Sequence, residues 1–359
     1  MFAKRSWHID IPLLMSLLIV IGYGMLVLYS ASGQSHPFML KQVVRTVMGF
    51  GVLILCAQIP PRVYYRLAPW LYWAGIIMLL LVLAFSMAHK GAHRWLDLKV
   101  VRFQPAELMK IAVPLMLARY LNDRTLPPTF QTLCLCLGMI MLPGLLIAKQ
   151  PDLGTSLLIT SSGLFVLFFA GIGWRWIVGA LVTVLTMIPV AWHFLMHGYQ
   201  KRRVITFLNP EHDPLGSGYH IIQSKIAIGS GGLWGQGFLA GSQSQLRFLP
   251  ERHTDFIFAV LGEEFGLIGA VILLLMYCLV LLRGGWICYQ ADQTFTRLLG
   301  ASMMSTFFVY IFVNIGMVCG VLPIVGLPLP LMSYGGTALV TLMAGFGILM
   351  SIHTHKRRL

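Results

Sequence analysis

Asp255 closes the run Leu249-Pro250-Glu251-Arg252-His253-Thr254-Asp255 and leads straight into the apolar run Phe256-Ile257-Phe258-Ala259-Val260. A carboxylate at such a junction lies at the depth where a lipid's polar head meets water, a good address for a general base. Glu263 follows eight residues later, about 80° round an ideal helix and about 12 Å along it, whereas Glu264 points to the opposite face. Glu263 is therefore the better candidate to support the same site. Two effects oppose each other at Asp255: the positive end of a helix dipole favours the ionised form, while burial or a neighbouring Glu263 raises its proton affinity.

Other polar groups interrupt apolar stretches and invite the same question. Glu107 and Lys110, three apart in Phe103-Gln104-Pro105-Ala106-Glu107-Leu108-Met109-Lys110, share a helix face, so they either form an ion pair or line the site. Asp152, in Gln150-Pro151-Asp152-Leu153-Gly154-Thr155-Ser156, either caps a helix or binds a cation or substrate. The stretch Gly229-Ser230-Gly231-Gly232-Leu233-Trp234-Gly235-Gln236-Gly237 is free enough in backbone to turn N–H groups toward phosphate oxygens, and equally suits a loop that moves. It has neither the Gly-Lys-Ser/Thr ending of a P-loop nor a βαβ unit around it. Asn314 reads as a bond to a neighbouring helix, Cys134-x-Cys136 as packing, and His353-x-His355 as a cytoplasmic anchor. Tyr334-Gly335-Gly336, after the proline-rich stretch Pro323 to Pro330, reads as an outer re-entrant turn that borders the site or only shapes it.

The elements that must hold these residues are membrane helices. The chain of 359 residues is 57% hydrophobic and only 11% charged, where a water-soluble domain runs at about 45–50% and about 25%. That excludes disorder, collagen-like repeats and an ordinary cytosolic enzyme. The expected architecture is an all-α polytopic membrane protein, a single domain over 1–359. About ten spans are long and apolar enough: Ile11 to Ser30, Lys41 to Ile59, Ala68 to Met87, Pro105 to Leu121, Thr132 to Ile147, Gly154 to Ala170, Trp176 to Met196, Asp255 to Leu282, Arg297 to Gly320 and Pro330 to Ser351. One long outer loop, about 198–254, separates the seventh from the eighth. The first apolar run is too long for a cleaved signal peptide, and the six cysteines sit in or beside apolar runs, which argues against a disulfide framework.

Lys and Arg in the short loops place both termini in the cytoplasm. The formal charge of +14 is not gathered on any soluble module that could present it to nucleic acid. Instead, the outer loops after the third and seventh spans together carry ten Lys/Arg against four Asp/Glu, about +6 and against the positive-inside tendency. An anionic ligand reaching the outer face supplies a reason; the alternative is a merely solvated loop.

The stretches Gly91-Ala92-His93-Arg94-Trp95-Leu96, Phe103 to Lys110, Gln150 to Ser156, Gly218 to Gly237, Leu249 to Phe258 and Pro328-Leu329-Pro330-Leu331-Met332-Ser333-Tyr334-Gly335-Gly336 together resemble the SEDS family, of shape, elongation, division and sporulation. The likeness runs through nearly the whole chain, and Lys225, Arg252 and the ending Ser351-Ile352-His353-Thr354-His355 resemble its elongation branch. The resemblance implies a ten-span peptidoglycan glycosyltransferase of the bacterial cytoplasmic membrane that polymerises lipid II, its site facing the periplasm and the aspartate matching Asp255 essential. Trp95, Glu107, Lys110, Asp152 and Glu263 match positions implicated in family function, and Ala106 departs from the usual serine, which puts one local hydrogen bond in doubt. Implied with them are a divalent cation, Mg or Mn, with no organic cofactor; a class B penicillin-binding transpeptidase as partner; and the rod-complex elongation proteins.

On this reading Asp255 deprotonates the acceptor sugar, undecaprenyl diphosphate leaves with inversion, and Arg94, Lys110, Arg203 and Lys225 are candidates to hold the diphosphate. The competing expectation is a lipid II flippase, which ten spans and intramembrane charges also allow. A transporter, however, is expected to show inverted repeats with charges near the midplane, and here the charges gather at the outer face. A weaker third reading is a scaffold for elongation proteins, in which Asp255 is dispensable.

Overall fold

The structure, a computed structural model, describes residues 7–85, 96–97, 102–150, 152–196, 198–210, 217–246, 248–249 and 251–355. Ten helices are placed as spans: α1 (Ile11–Ala31), α2 (His36–Gln58), α3 (Pro61–Phe85), α4 (Pro105–Asn122), α5 (Phe130–Ala148), α6 (Leu153–Phe169), α7 (Trp174–Val190), α11 (Ile257–Tyr289), α12 (Thr294–Val318) and α13 (Thr337–Thr354). Eight of them, α7 being read through to Phe194, are long and apolar enough by themselves to cross a bilayer. The other two are α6, at 17 residues, and α4, whose 18 residues include Glu107, Lys110 and Arg119. Among the described residues the only strands are the two-residue pair β1 (Leu96–Asp97) and β2 (Arg102–Phe103). The chain is thus an all-helical, multi-pass membrane protein.

Local chemistry explains the helix starts. Asp10 and Thr129 cap α1 and α5 by accepting main-chain N–H bonds. Proline, whose fixed φ suits a first turn, opens α1, α2 and α4. Three expectations need correction. The last span begins at Thr337 rather than Pro330, because Leu331 has φ 65° and Tyr334 N is bonded to His253 O, which keeps residues 331–336 out of a helix. The eighth begins at Ile257, so Asp255 stands just before the helix rather than in its first turn. The segment between the seventh and eighth spans is not an open loop, for it folds into α8 (Gly198–Leu208), α9 (Ser217–Gly231) and α10 (Ser242–Gln245).

The glycine-rich stretch also has a packing role. Helix α11 breaks at Gly266, whose φ is 61°, and residues 231–237 lie directly on the break. Gln236 N donates to Glu263 O at 2.9 Å and Gly237 N to Glu264 O at 3.1 Å, while Leu267 N donates to Gly232 O at 2.9 Å. Helix carbonyls and N–H groups freed by the kink are satisfied by the loop. A β-carbon at Gly235 would stand 2.1 Å from Glu264 O, and one at Gly266 2.4 Å from Gly235 N, so only glycine permits this approach.

In the bundle α2 packs on α13, α3 on α4, α6 and α4 on α12, and α1, α9 and α12 on α11. Helix α12 is the most buried of the apolar spans, and α7 buries none of its residues. Near the C-terminal end of α11, Arg283 donates to both oxygens of Asp10, at 3.0 and 2.6 Å. His353 Nδ1 lies 2.8 Å from the same carboxylate, and His8 stacks on His355 at 3.7 Å. Residues 10 and 353 therefore meet at one end of the bundle.

Candidate active site

Asp255 is half-buried in a turn at the opposite end of α11. The turn is stapled to the irregular segment before α13: Tyr334 N donates to His253 O at 2.8 Å, and Ser333 Oγ donates to Thr254 O at 2.5 Å. From α12, Asn314 Nδ2 donates to Asp255 O at 2.9 Å and to Leu327 O at 2.6 Å. Phe38 of α2 stacks on Tyr334 at 4.0 Å, and the Arg45 guanidinium lies 4.3 Å from the centre of the same ring. The Asp255 carboxylate faces Gly326, where a β-carbon would stand 3.6 Å from Oδ2. Since Gly326 has φ +75°, a turn that glycine favours brings main chain against the carboxylate. The segment 320–336 thus borders Asp255 as well as shaping its turn.

Lys110 and Glu107 form the ion pair their spacing permits, at 2.6 Å, with side chains 8% and 6% exposed. The pair also lines a cavity of about 50 Å³ between α4, α12 and α13. Glu107 Oε2 is buried without a hydrogen-bond partner, and Lys110 Nζ donates also to the Tyr310 hydroxyl. The Tyr310 ring packs with Leu158 and Leu327, and a second cavity, of about 20 Å³, continues from Tyr310 to Pro328, Ser333 and Gly335 under the turn. A path of contacts therefore joins the ion pair to the segment that faces Asp255.

Asp152 caps α6, accepting Thr155 N at 3.2 Å, and its other oxygen accepts Gln104 Nε2 at 3.1 Å. The capped end abuts the same turn, since a β-carbon at Gly154 would stand 2.7 Å from Val325 O. Glu263 is fully buried and clamps α10, accepting Gln243 N at 2.7 Å and Ser244 N at 3.0 Å. Ser244 O accepts the Arg252 guanidinium, so Glu263 reaches the Asp255 turn through α10. Lys225 is exposed on α9 and lies over the C-terminal end of α12, where a β-carbon at Gly320 would stand 2.2 Å from its Cε; Ser224 Oγ donates to Val318 O beside it at 2.9 Å. A cation there is favoured by the helix's negative end. Arg203 belongs to α8, while Arg94, Trp95 and the side chain of Arg203 lie outside the described residues. His220 of α9 stacks on Phe256 at 5.7 Å, and burial pushes its pKa below the ordinary 6.5 against the opposing pull of Glu251. Among the described residues no group of three or more His, Cys, Asp or Glu side chains comes together to hold a metal ion.

Sequence reasoning gave Asn314 a helix-packing role and passed over Tyr310, Ser333 and Gly326. One signal was present: Ser302, Thr306, Tyr310 and Asn314 recur every four residues, marking a polar stripe on one face of α12.

Comparison with known proteins accords with this geometry. A family model described as "cell cycle protein", covering FtsW, RodA and SpoVE, matches residues 8–358. The chain belongs to this family, the SEDS proteins. It is 57% identical over 359 residues to the peptidoglycan glycosyltransferase MrdB of Escherichia coli K12, covering 99% of this chain and 97% of that protein. It is 34% identical to a probable peptidoglycan glycosyltransferase FtsW of Geobacter metallireducens, covering 99% and 97%. Among solved structures it superposes on a chain from a peptidoglycan synthase complex that coordinates polymerisation and crosslinking, with TM-score 0.85, 32% identity and coverage of 99% and 100%. It superposes also on the rod shape determining protein RodA of Thermus thermophilus, with TM-score 0.74, 26% identity and coverage of 99% of both chains.

Proposed function

We infer that this chain is a peptidoglycan glycosyltransferase of rod-shape cell elongation that polymerises lipid II into glycan strands. The observation that carries the reading is Asp255: a half-buried carboxylate two residues before a membrane helix, with its main chain held from α12 and its turn held from the segment before α13. Lipid II is a disaccharide-peptide on undecaprenyl diphosphate, so its reacting sugars lie just outside the membrane surface while its tail lies within. Asp255 takes the proton from the acceptor sugar's 4-hydroxyl as that oxygen attacks the donor's anomeric carbon. The bond to diphosphate breaks, undecaprenyl diphosphate leaves, and the configuration inverts from α to β. Arg94, Lys110, Arg203 and Lys225 are the proposed diphosphate holders. Lys225 has the exposure to meet a substrate directly, whereas Lys110 acts from within its ion pair with Glu107.

A divalent cation, Mg or Mn, belongs to the proposal in the form hard cations usually take at such sites, held by one or two carboxylates together with substrate phosphate oxygens. When bound it would neutralise charge on the leaving diphosphate. The described residues do not by themselves supply a complete ligand set. The cationic outer loops support a site that faces the periplasm, with both termini in the cytoplasm. A class B penicillin-binding transpeptidase that crosslinks the new glycan and the rod-complex elongation proteins are the proposed partners.

The test is polymerisation of labelled lipid II by the purified chain with a transpeptidase partner that has no glycosyl transfer of its own, comparing wild type with Asp255→Ala and Asp255→Asn. Polymer from wild type and none from either folded variant supports the reading. Polymer from both variants removes Asp255 from the chemistry. Binding of lipid II without polymer from any preparation favours a flippase instead.

A further inference from the structure

Asn314 is fully buried within α12. Its Nδ2 donates to two main-chain carbonyls, those of Asp255 and Leu327. Both partners are acceptors only, so the amide's orientation is forced: nitrogen faces the two carbonyls and Oδ1 faces away. That oxygen is buried with no hydrogen-bond partner, a penalty an aliphatic side chain would not carry. The two donated bonds are what the amide supplies in return. They tie the residue just before α11 to the segment just before α13. One turn earlier on the same face, Tyr310 packs its ring on Leu327 and meets Lys110 with its hydroxyl.

We propose that Asn314 is a positioning residue of the transfer reaction. It sets where the Asp255 carboxylate stands by holding that residue's main chain, and Tyr310 ties this setting to the Glu107–Lys110 pair. The proposal rests on Asp255 being the general base. Asn314 touches none of the reacting atoms, so its effect belongs in the rate of the chemical step rather than in substrate affinity.

The experiment measures kcat, KM and the pH–rate profile of lipid II polymerisation by the full chain with its transpeptidase partner. The variants are Asn314→Ala, Asn314→Ser, Asn314→Asp and Tyr310→Phe, with Asp255→Asn as control. Asn314→Ala is expected to lower kcat roughly ten- to hundredfold with KM unchanged, the scale of an ångström-level displacement of a reacting group. Asn314→Ser keeps one donor and is expected to recover part of the loss. Asn314→Asp sets a carboxylate beside Asp255 and is expected to move the acidic limb of the profile to higher pH. Tyr310→Phe keeps the ring on Leu327 and is expected to lower kcat by less. Should Asn314→Ala fail to fold, Asn314→Ser and Tyr310→Phe carry the test. Wild-type kcat in both of these, with Asp255→Asn inactive, overturns the positioning role and leaves the base in place. Equal activity of wild type and Asp255→Asn overturns the base and the proposal with it.

Discussion

The two ends of α11 use a carboxylate in opposite ways. At one end Asp10 is 3% exposed and held through its side chain, by two bonds from Arg283, one from Leu13 N, and His353 alongside. At the other end Asp255 is half-buried and held through its main chain by Asn314, with its carboxylate turned to the unsubstituted Gly326. Asp10 is buried inside a side-chain clamp, whereas Asp255 stays half-exposed on a turn whose main chain is anchored. Position at a helix end therefore does not by itself set an acid's role; its burial and surroundings must be compared as well.

Asn substitutions at the two sites should separate most strongly. Asp255→Asn is expected to cost roughly 10²- to 10⁴-fold in polymerisation, the usual worth of a general base, with thermal stability little changed. Asp10→Asn is expected to leave turnover per folded molecule intact and to cost about 2 kcal/mol of stability, below the usual range for a broken buried pair because Arg283 is partly exposed. Thermal denaturation in detergent beside the polymerisation assay checks both, and the reverse pattern would break the comparison.

Gly326→Ala sharpens the Asp255 end. With φ at +75° the substitution is expected to cost about 1–2 kcal/mol from backbone strain, and the new methyl beside Oδ2 is expected to slow polymerisation as well; a stability loss with full activity would detach Gly326 from the site. Asp152→Ala is expected to cost about 1 kcal/mol for a lost helix cap and to leave KM for lipid II unchanged, whereas a raised KM would give Asp152 a part in substrate binding. The smallest effect is at His220. Its pKa is lowered in the folded state, so the unfolded chain takes up the proton first and stability falls as pH drops through and below 6.5. His220→Phe retains a ring to stack on Phe256 and is expected to flatten that acid-side decline, read as melting temperature against pH.

About ten apolar helices, their approximate limits and the place of Asp255 at the start of one of them were legible in the sequence, because an apolar run of bilayer length has few other folds open to it. The Glu107–Lys110 pair and the Asp152 cap were legible too, since helix spacing and capping are local rules. Helices α8 to α10 were missed because each is too short to read as a span, and the start of α13 was hidden within a run that stays apolar through its prolines. Glu263 illustrates the limit: its angle about the helix was readable, but its two bonds go to α10, on a segment whose fold no local pattern specified.

What the sequence determined by itself is therefore the membrane class, the order of spans and the residue types capable of chemistry, all consequences of composition and near-neighbour geometry. Tertiary structure alone decided that Asn314 reaches Asp255 across 59 positions, that Tyr310 meets Lys110 across 200, and that glycine-rich chain closes over the break in α11. Those contacts join elements far apart in sequence, and packing between helices, rather than any local preference, selects which residues meet.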